Sequence, residues 1–162
     1  MGNSPHVLLD EVDHAIVETL AADARVSNAA LADQVGIAQS TCLSRVTRLR
    51  ERGVLRGFHA EIDLAALGRP ILAVVAVRLA AHDRKEIETF TASLHTLQGV
   101  LMVFHVTGQI DYLVWVAAAD TQDLRRLVID HLVTHPAVAH AETSLVYEHT
   151  RGPGIFGDLD PV

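Results

Sequence analysis

Between Val26 and Gly53 the chain reads VSNAALADQVGIAQSTCLSRVTRLRERG, two short runs of helical period with a tight break between them. Ser27 is placed to cap the first helix, with Asn28 beside it, and Leu31 and Val35 make its apolar stripe. Gly36 tolerates positive φ and ends that helix without a steric penalty. Gln39 and Ser40 open the second helix. On it Cys42, Val46 and Leu49 fall at i, i+4 and i+7 and form one buried stripe. Ala32 is small where the two helices must cross, and Ile37 is an apolar plug just after the turn. The pattern is that of a helix-turn-helix.

The other face of the second helix carries Thr41, Ser44, Arg45, Arg48 and Arg52, following Gln39 and Ser40. It offers hydroxyl and guanidinium donors and no acid, which is what a helix laid in a DNA major groove requires. Arginines on a helix more often make only a solvated face, so the local charge matters. From Arg45 to Arg56 five arginines (45, 48, 50, 52 and 56) stand against Glu51, a local charge of +4 in a chain of net charge −7. Residues 1–60 hold six basic and seven acidic residues, net −1; residues 61–162 hold seven and thirteen, net −6. The chain as a whole is not basic. Any DNA contact must come from the local arginine cluster, through Gln39, Ser40, Thr41, Ser44, Arg45, Arg48 and Arg52.

Residues 8–22 complete a three-helix head, with Val12, Ala15, Ile16 and Leu20 on one stripe. Asp10, Glu11 and Asp13 near its start suit the helix dipole. At 162 residues one or two domains are expected. A single cysteine excludes an intramolecular disulfide, and Cys42 reads as a structural thiol on the buried stripe. No signal peptide or membrane-length apolar run is read, so the expectation is a cytoplasmic, nucleoid-associated protein with no membrane partner.

Past Gly53 the pattern changes. Residues 54–62 predict an extended connector bent at Gly57. Strands follow at 71–80, 100–107, 112–119 and 137–147, and helices at 82–97 and 121–134. The inward residues of the first helix are Ile87, Phe90, Leu94 and Leu97; those of the second are Leu124, Leu127, Val128 and Leu132. The fold class is therefore α+β: a helix-turn-helix, winged-helix-like head (1–56), a connector strand or hinge (57–69), and a ferredoxin-like βαββαβ domain (70–150). An irregular tail (151–162) closes the chain. Both parities of 71–79 are apolar: Ile71, Ala73, Val75, Val77 and Leu79 against Leu72, Val74 and Ala76. Helices cover one face of such a sheet, so the other needs a second cover. A copy of the same sheet supplies it, giving a homodimer with paired heads for a two-fold symmetric DNA site.

Three segments together resemble the Lrp/AsnC (leucine-responsive/asparagine regulator) family of bacterial and archaeal transcription factors. They are Leu9, Asp10 and Asp13 as LD-x-x-D, the head segment LADQVGIAQSTCLSRVTRLRERGVL, and VTGQIDYLV ending at Val114. The resemblance runs from Leu9 to about Glu148. It implies a DNA-binding head, an amino-acid-sensing domain, and dimers that assemble further, often into octamers. It also implies control of amino-acid metabolism genes, with an effector-independent, architectural DNA-binding protein of the same family as the alternative. The effector site it implies takes Thr107, Gly108, Gln109, Ile110 and Asp111 from the turn between the middle strands, and Thr143 and Ser144 from the last strand of a neighbour. The chemistry agrees: a turn led by Gly108 exposes backbone N–H groups to a carboxylate, and Asp111 can pair with an ammonium. Asp111 can equally cap its own loop. Ile110 stands where the family commonly has an aromatic residue.

Other constellations are weaker. His131 and His135, four apart, make a two-ligand metal clip, but no third ligand is apparent, and histidines near a helix C-terminus are favoured by its dipole. His105 reads as a satisfied sheet histidine, and Tyr112 and Trp115, of opposite parity, as packing residues. No nucleophile–base arrangement, phosphate-binding glycine motif or paired acid points to an enzyme, and neither metal nor cofactor is expected beyond an amino-acid effector.

Overall fold

The computed structural model describes residues 8–80, 84–150 and 152. The chain divides into two compact units, one up to Glu61 and the other Ile62–Thr150.

In the first unit α1 (Glu11–Ala22) starts at Asp10, whose carboxylate accepts the Asp13 N–H at 2.8 Å and so satisfies one of the helix's free donors. α2 (Asn28–Gln34) is capped by Ser27 Oγ on the Ala30 N–H, as its sequence predicts. After Gly36 (φ +71°) the Ile37 N–H returns to the Ala32 carbonyl at 3.0 Å and the chain enters α3 (Gln39–Glu51). Ile16, Leu20, Leu31, Ala32, Cys42 and Leu49 form the shared core, the expected stripes meeting at the crossing that Ala32 permits. The segment after α3 differs from expectation. Residues 56–62 form neither a strand nor a wing. One turn follows at 64–68, where Asp63 Oδ1 accepts from the Ala65 and Ala66 N–H groups.

The second unit runs β1 (Ile71–Leu79), α4 (Arg84–Leu94), β2 (Val100–His105), β3 (Tyr112–Ala118), α5 (Thr121–Arg126) and β4 (Val138–Val146). The antiparallel sheet has the order β2-β3-β1-β4, the ferredoxin-like arrangement. The helix expected over 82–97 stops at Leu94, and its expected first turn lies outside the described residues. The helix expected over 121–134 is α only to Arg126; Leu127–Val133 is π-helical. Bonds to the fifth preceding residue bring Leu127 and Leu132 onto one buried face, where α winding would set them roughly 140° apart.

Alternation along the strands sends Ala73, Val75, Val77, Val114 and Val116 into the core with Phe90, Leu94, Leu124 and Leu132. The opposite parity makes the other face. There Trp115 lies between Val74 and Met102, and Leu113 between Ala76 and Phe104. Met102 and Phe104 are 47% and 46% exposed. The second apolar face read from the sequence exists; His149 packs edge-on against Trp115 there, and Met102 and Phe104 stay exposed among the described residues.

Candidate nucleic-acid interface

The placement of α3 follows from contacts near its start. The Ile37 amide is tied to Ala32, and Asn28 Nδ2 donates to the Gln39 carbonyl at 3.0 Å, linking α2 to α3. Burial of Cys42 and Leu49 then fixes the rotation of α3 about its axis. Gln39, Ser40, Thr41, Ser44, Arg48 and Arg52 are exposed, as the proposed reading face requires.

Arg45 departs from that face. Its Nη1 donates to Asp10 Oδ2 and Oδ1 at 2.6 and 2.8 Å and to Asp13 Oδ1 at 2.8 Å. Arg48 Nη2 donates to Asp13 Oδ2 at 2.9 Å and to Oδ1 at 3.3 Å. Asp13 is buried, and a buried carboxylate is tolerable only when charge and hydrogen bonds compensate it. Two guanidinium groups from α3 do so. The Arg45 hydrogen bond, then the Asp13 N–H, hold the Asp10 carboxyl below its ordinary pKa, and the hydrogen bonds to the Asp10 and then the Asp13 carboxylate raise that of Arg45. Asp10 and Asp13 were expected near a helix dipole; they also anchor the recognition helix. No local pattern signals this, because the partners lie 32 to 35 residues away.

The exposed ridge of α3 includes two residues outside the expected set, Leu43 and Thr47. With Ser40, Ser44, Arg48 and Glu51 they line a shallow groove of about 610 Å³. Helical spacing identifies this ridge as the one facing away from Cys42 and Leu49, but attention to charge draws the eye to the arginines.

In the second unit the β2–β3 turn is exposed at Thr107, Gly108 and Gln109, with Ile110 and Asp111 half-buried. Gly108 sits at φ +125°, a conformation that side chains rarely adopt. Asp111 holds the turn onto β1: its N–H donates to the Val77 carbonyl, its carbonyl accepts from Val106, and its Oδ2 accepts from the Leu79 N–H at 2.8 Å. The Asp111 carboxylate is thus bonded to β1 and not to its own loop among the described residues. Thr143 and Ser144 lie midway along β4, paired with Val75 and Val74, so their side chains take opposite faces. One chain does not bring them to the turn, which lies by the Val77–Leu79 end of β1.

His105 stacks on Tyr112 at 4.6 Å, and Tyr112 shares a 2.7 Å hydrogen bond with Thr91, while Trp115 takes the opposite face. His135 packs on Phe90 and its Nδ1 accepts from the Ala137 N–H, so it is committed to the core. Among the described residues no group of three or more His, Cys, Asp and Glu side chains is placed to hold a metal.

A trihelical head presenting a polar, arginine-bearing helix, joined to a ferredoxin-like domain, defines a DNA-binding regulator of the helix-turn-helix class. Comparison with known proteins gives the family. Residues 9–50 match the AsnC-type helix-turn-helix domain and residues 72–152 the Lrp/AsnC ligand binding domain. The chain is 45% identical over 144 residues to the HTH-type transcriptional regulator AldR of Mycolicibacterium smegmatis, covering 89% of this chain and 84% of that protein. It is 32% identical to the transcriptional regulator AzlB of Bacillus subtilis, covering 86% and 89%. The crystal structure of MtbAldR is similar with a TM-score of 0.74 at 42% identity, covering 89% of this chain and 98% of that one. A transcriptional regulator of Neisseria meningitidis, solved as an L-Met complex, superposes with a TM-score of 0.83 at 28% identity, covering 89% and 93%. The chain belongs to the Lrp/AsnC family of transcriptional regulators. Its relatives are DNA-binding regulators and not enzymes. No helix among the described residues is long and apolar enough to cross a membrane.

Proposed function

We propose that this regulator senses an amino acid and binds DNA as a homodimer joined sheet to sheet, controlling amino-acid metabolism genes on the nucleoid. The observation that carries the sensing role is the Gly108 turn. Gly108 is exposed at positive φ, and no atom lies within 4 Å of where a Cβ would stand. The backbone there is open to a ligand carboxylate. Asp111 Oδ1 accepts no hydrogen bond among the described residues and can face an ammonium while Oδ2 holds Leu79. The Neisseria relative's L-Met supports an amino acid as the ligand class.

One feature supports the dimer. The face carrying Met102, Phe104, Leu113 and Trp115 is apolar, and Met102 and Phe104 stand exposed on it. Thr143 and Ser144 reach a Gly108 turn only from a neighbouring copy, so the effector site is complete in an assembly above the dimer, such as an octamer. Effector binding then shifts the population of assemblies and with it the spacing of the heads. Gln39, Ser40, Thr41, Ser44, Arg48 and Arg52 face the DNA, and Arg45 holds α3 in place.

Thermal unfolding against the twenty amino acids tests the sensing role. A ligand at about 100 times its Kd adds roughly 2.7 kcal/mol of stability. One amino acid or a few should raise the Tm, and Asp111→Asn, which retains an acceptor for Leu79, should abolish the rise. A panel with no shift would overturn the amino-acid reading.

A further inference from the structure

We infer that Leu43 is a specificity-determining residue of the DNA interface and packs against the C5-methyl group of a thymine in the major groove. The inference rests on the reading that α3 enters that groove, and it names what the helix recognises there.

Leu43 is the fifth residue of α3, in the N-terminal part that a helix-turn-helix applies to base edges. It is 58% exposed and lies about 100° around the helix from Cys42, on the flank of the ridge. A single exposed leucine is ordinary on a protein surface. Three features of its surroundings make this one more than that. Thr47, one turn on, donates its hydroxyl to the Leu43 carbonyl at 2.9 Å, so its proton is not available to a base. Leu43 and the Thr47 methyl group therefore form an apolar strip alongside Ser40 and Ser44. Arg45, the one arginine in this half of the helix, is drawn back onto Asp10 and Asp13. Arg48, half-exposed and also bonded to Asp13, lies with Arg50 in the C-terminal half of α3, and Arg52 caps its end, where they can meet phosphates.

The base-reading half of α3 thus offers hydroxyls, the Gln39 amide and an isobutyl group. Serine hydroxyls both donate and accept, so Ser40 and Ser44 discriminate weakly among base edges. The thymine methyl is the apolar feature among the groups that bases present in the major groove, and Leu43 is the side chain matched to it. Burying one methyl group is worth about 0.8 kcal/mol, which converts to a change in affinity of about fourfold per half-site.

The test uses the full chain and a pool of random-sequence DNA duplexes. Duplexes selected by the wild-type protein should share a thymine at a fixed position in each half-site. Deoxyuridine there, which lacks only the methyl group, should weaken binding about fourfold per half-site. Leu43→Ala should bind thymine and deoxyuridine duplexes equally, and Leu43→Met should retain the preference. Equal wild-type affinity for thymine and deoxyuridine at every selected position would overturn the assignment. So would an unchanged thymine preference in Leu43→Ala. A wild-type protein that enriches no sequence would instead refute the placement of α3 in the major groove, and this inference with it.

Discussion

Asp13→Ala removes a carboxylate whose side chain is 2% exposed and which receives hydrogen bonds from both Arg45 and Arg48. Taking one partner from a fully buried ion pair costs about 3–5 kcal/mol, because the remaining charge is stranded. Here the arginines are 24% and 49% exposed and Arg45 keeps Asp10, so both can regain water. The loss then approaches that of charge-assisted hydrogen bonds, about 1.5–3 kcal/mol, and ~2 kcal/mol is the expected cost. For a small head with six buried hydrophobic residues this is a large share of the stability. The lone tryptophan, Trp115, lies in the second unit, so its fluorescence follows that unit while far-ultraviolet circular dichroism also follows α1 to α3. With m of about 1 kcal/mol/M in urea, the transition of the head should move down by roughly 2 M while the Trp115 transition stays in place. A double-mutant cycle with Arg45→Ala should show strong non-additivity. An unmoved head transition, or costs that simply add, would refute the view that this cluster anchors α3.

Four shorter expectations concern the same two units. The folded-state pKa of Asp10 lies below its ordinary 3.8, chiefly through Arg45. Its contribution is therefore complete above the ordinary value and lost as pH falls through the folded one, so the head should weaken below about pH 4 and Asp10→Asn should flatten that dependence in acid urea titrations. On DNA, Arg48→Ala should reduce the slope of log affinity against log salt by about 0.9, whereas Arg45→Ala should leave the slope unchanged while lowering the urea midpoint of the head. Cys42 is buried and its thiol pKa is raised by desolvation, so alkylation of the native protein should proceed at the rate of head unfolding; fast labelling under native conditions would contradict its burial. Phe90→Ala should cost the second unit about 3–5 kcal/mol, read from the Trp115 transition, because Phe90 is fully buried against Tyr112 and His135.

Much of the fold was legible because it rests on short-range physics. Ser27 and Gly36 bound α2 by capping and turn chemistry, and the i, i+4, i+7 spacing of Cys42, Val46 and Leu49 sets which side of α3 is buried. Alternation along 71–79 showed both the core face and the second apolar face of the sheet. The candidate sites were legible only in part. Residue type marked Arg45 and Arg48 as donors, but charge alone hid Leu43, whose importance comes from exposure. The π winding after Arg126 also escaped, since Leu127 and Leu132 fit a helical stripe only loosely and packing against the sheet selects the wider turn.

The sequence by itself determined the order of elements, the two buried stripes of the head and the unsatisfied second face of the sheet, because periodicity and capping act within a few residues. Tertiary structure decided which polar groups remain available. It placed the Asp10 and Asp13 carboxylates against Arg45, and the Leu79 amide against Asp111. A hydrogen bond is allotted by distance in space, and these partners lie 32 or more residues apart along the chain. A donor that the sequence offers to DNA can therefore already be held by the protein itself.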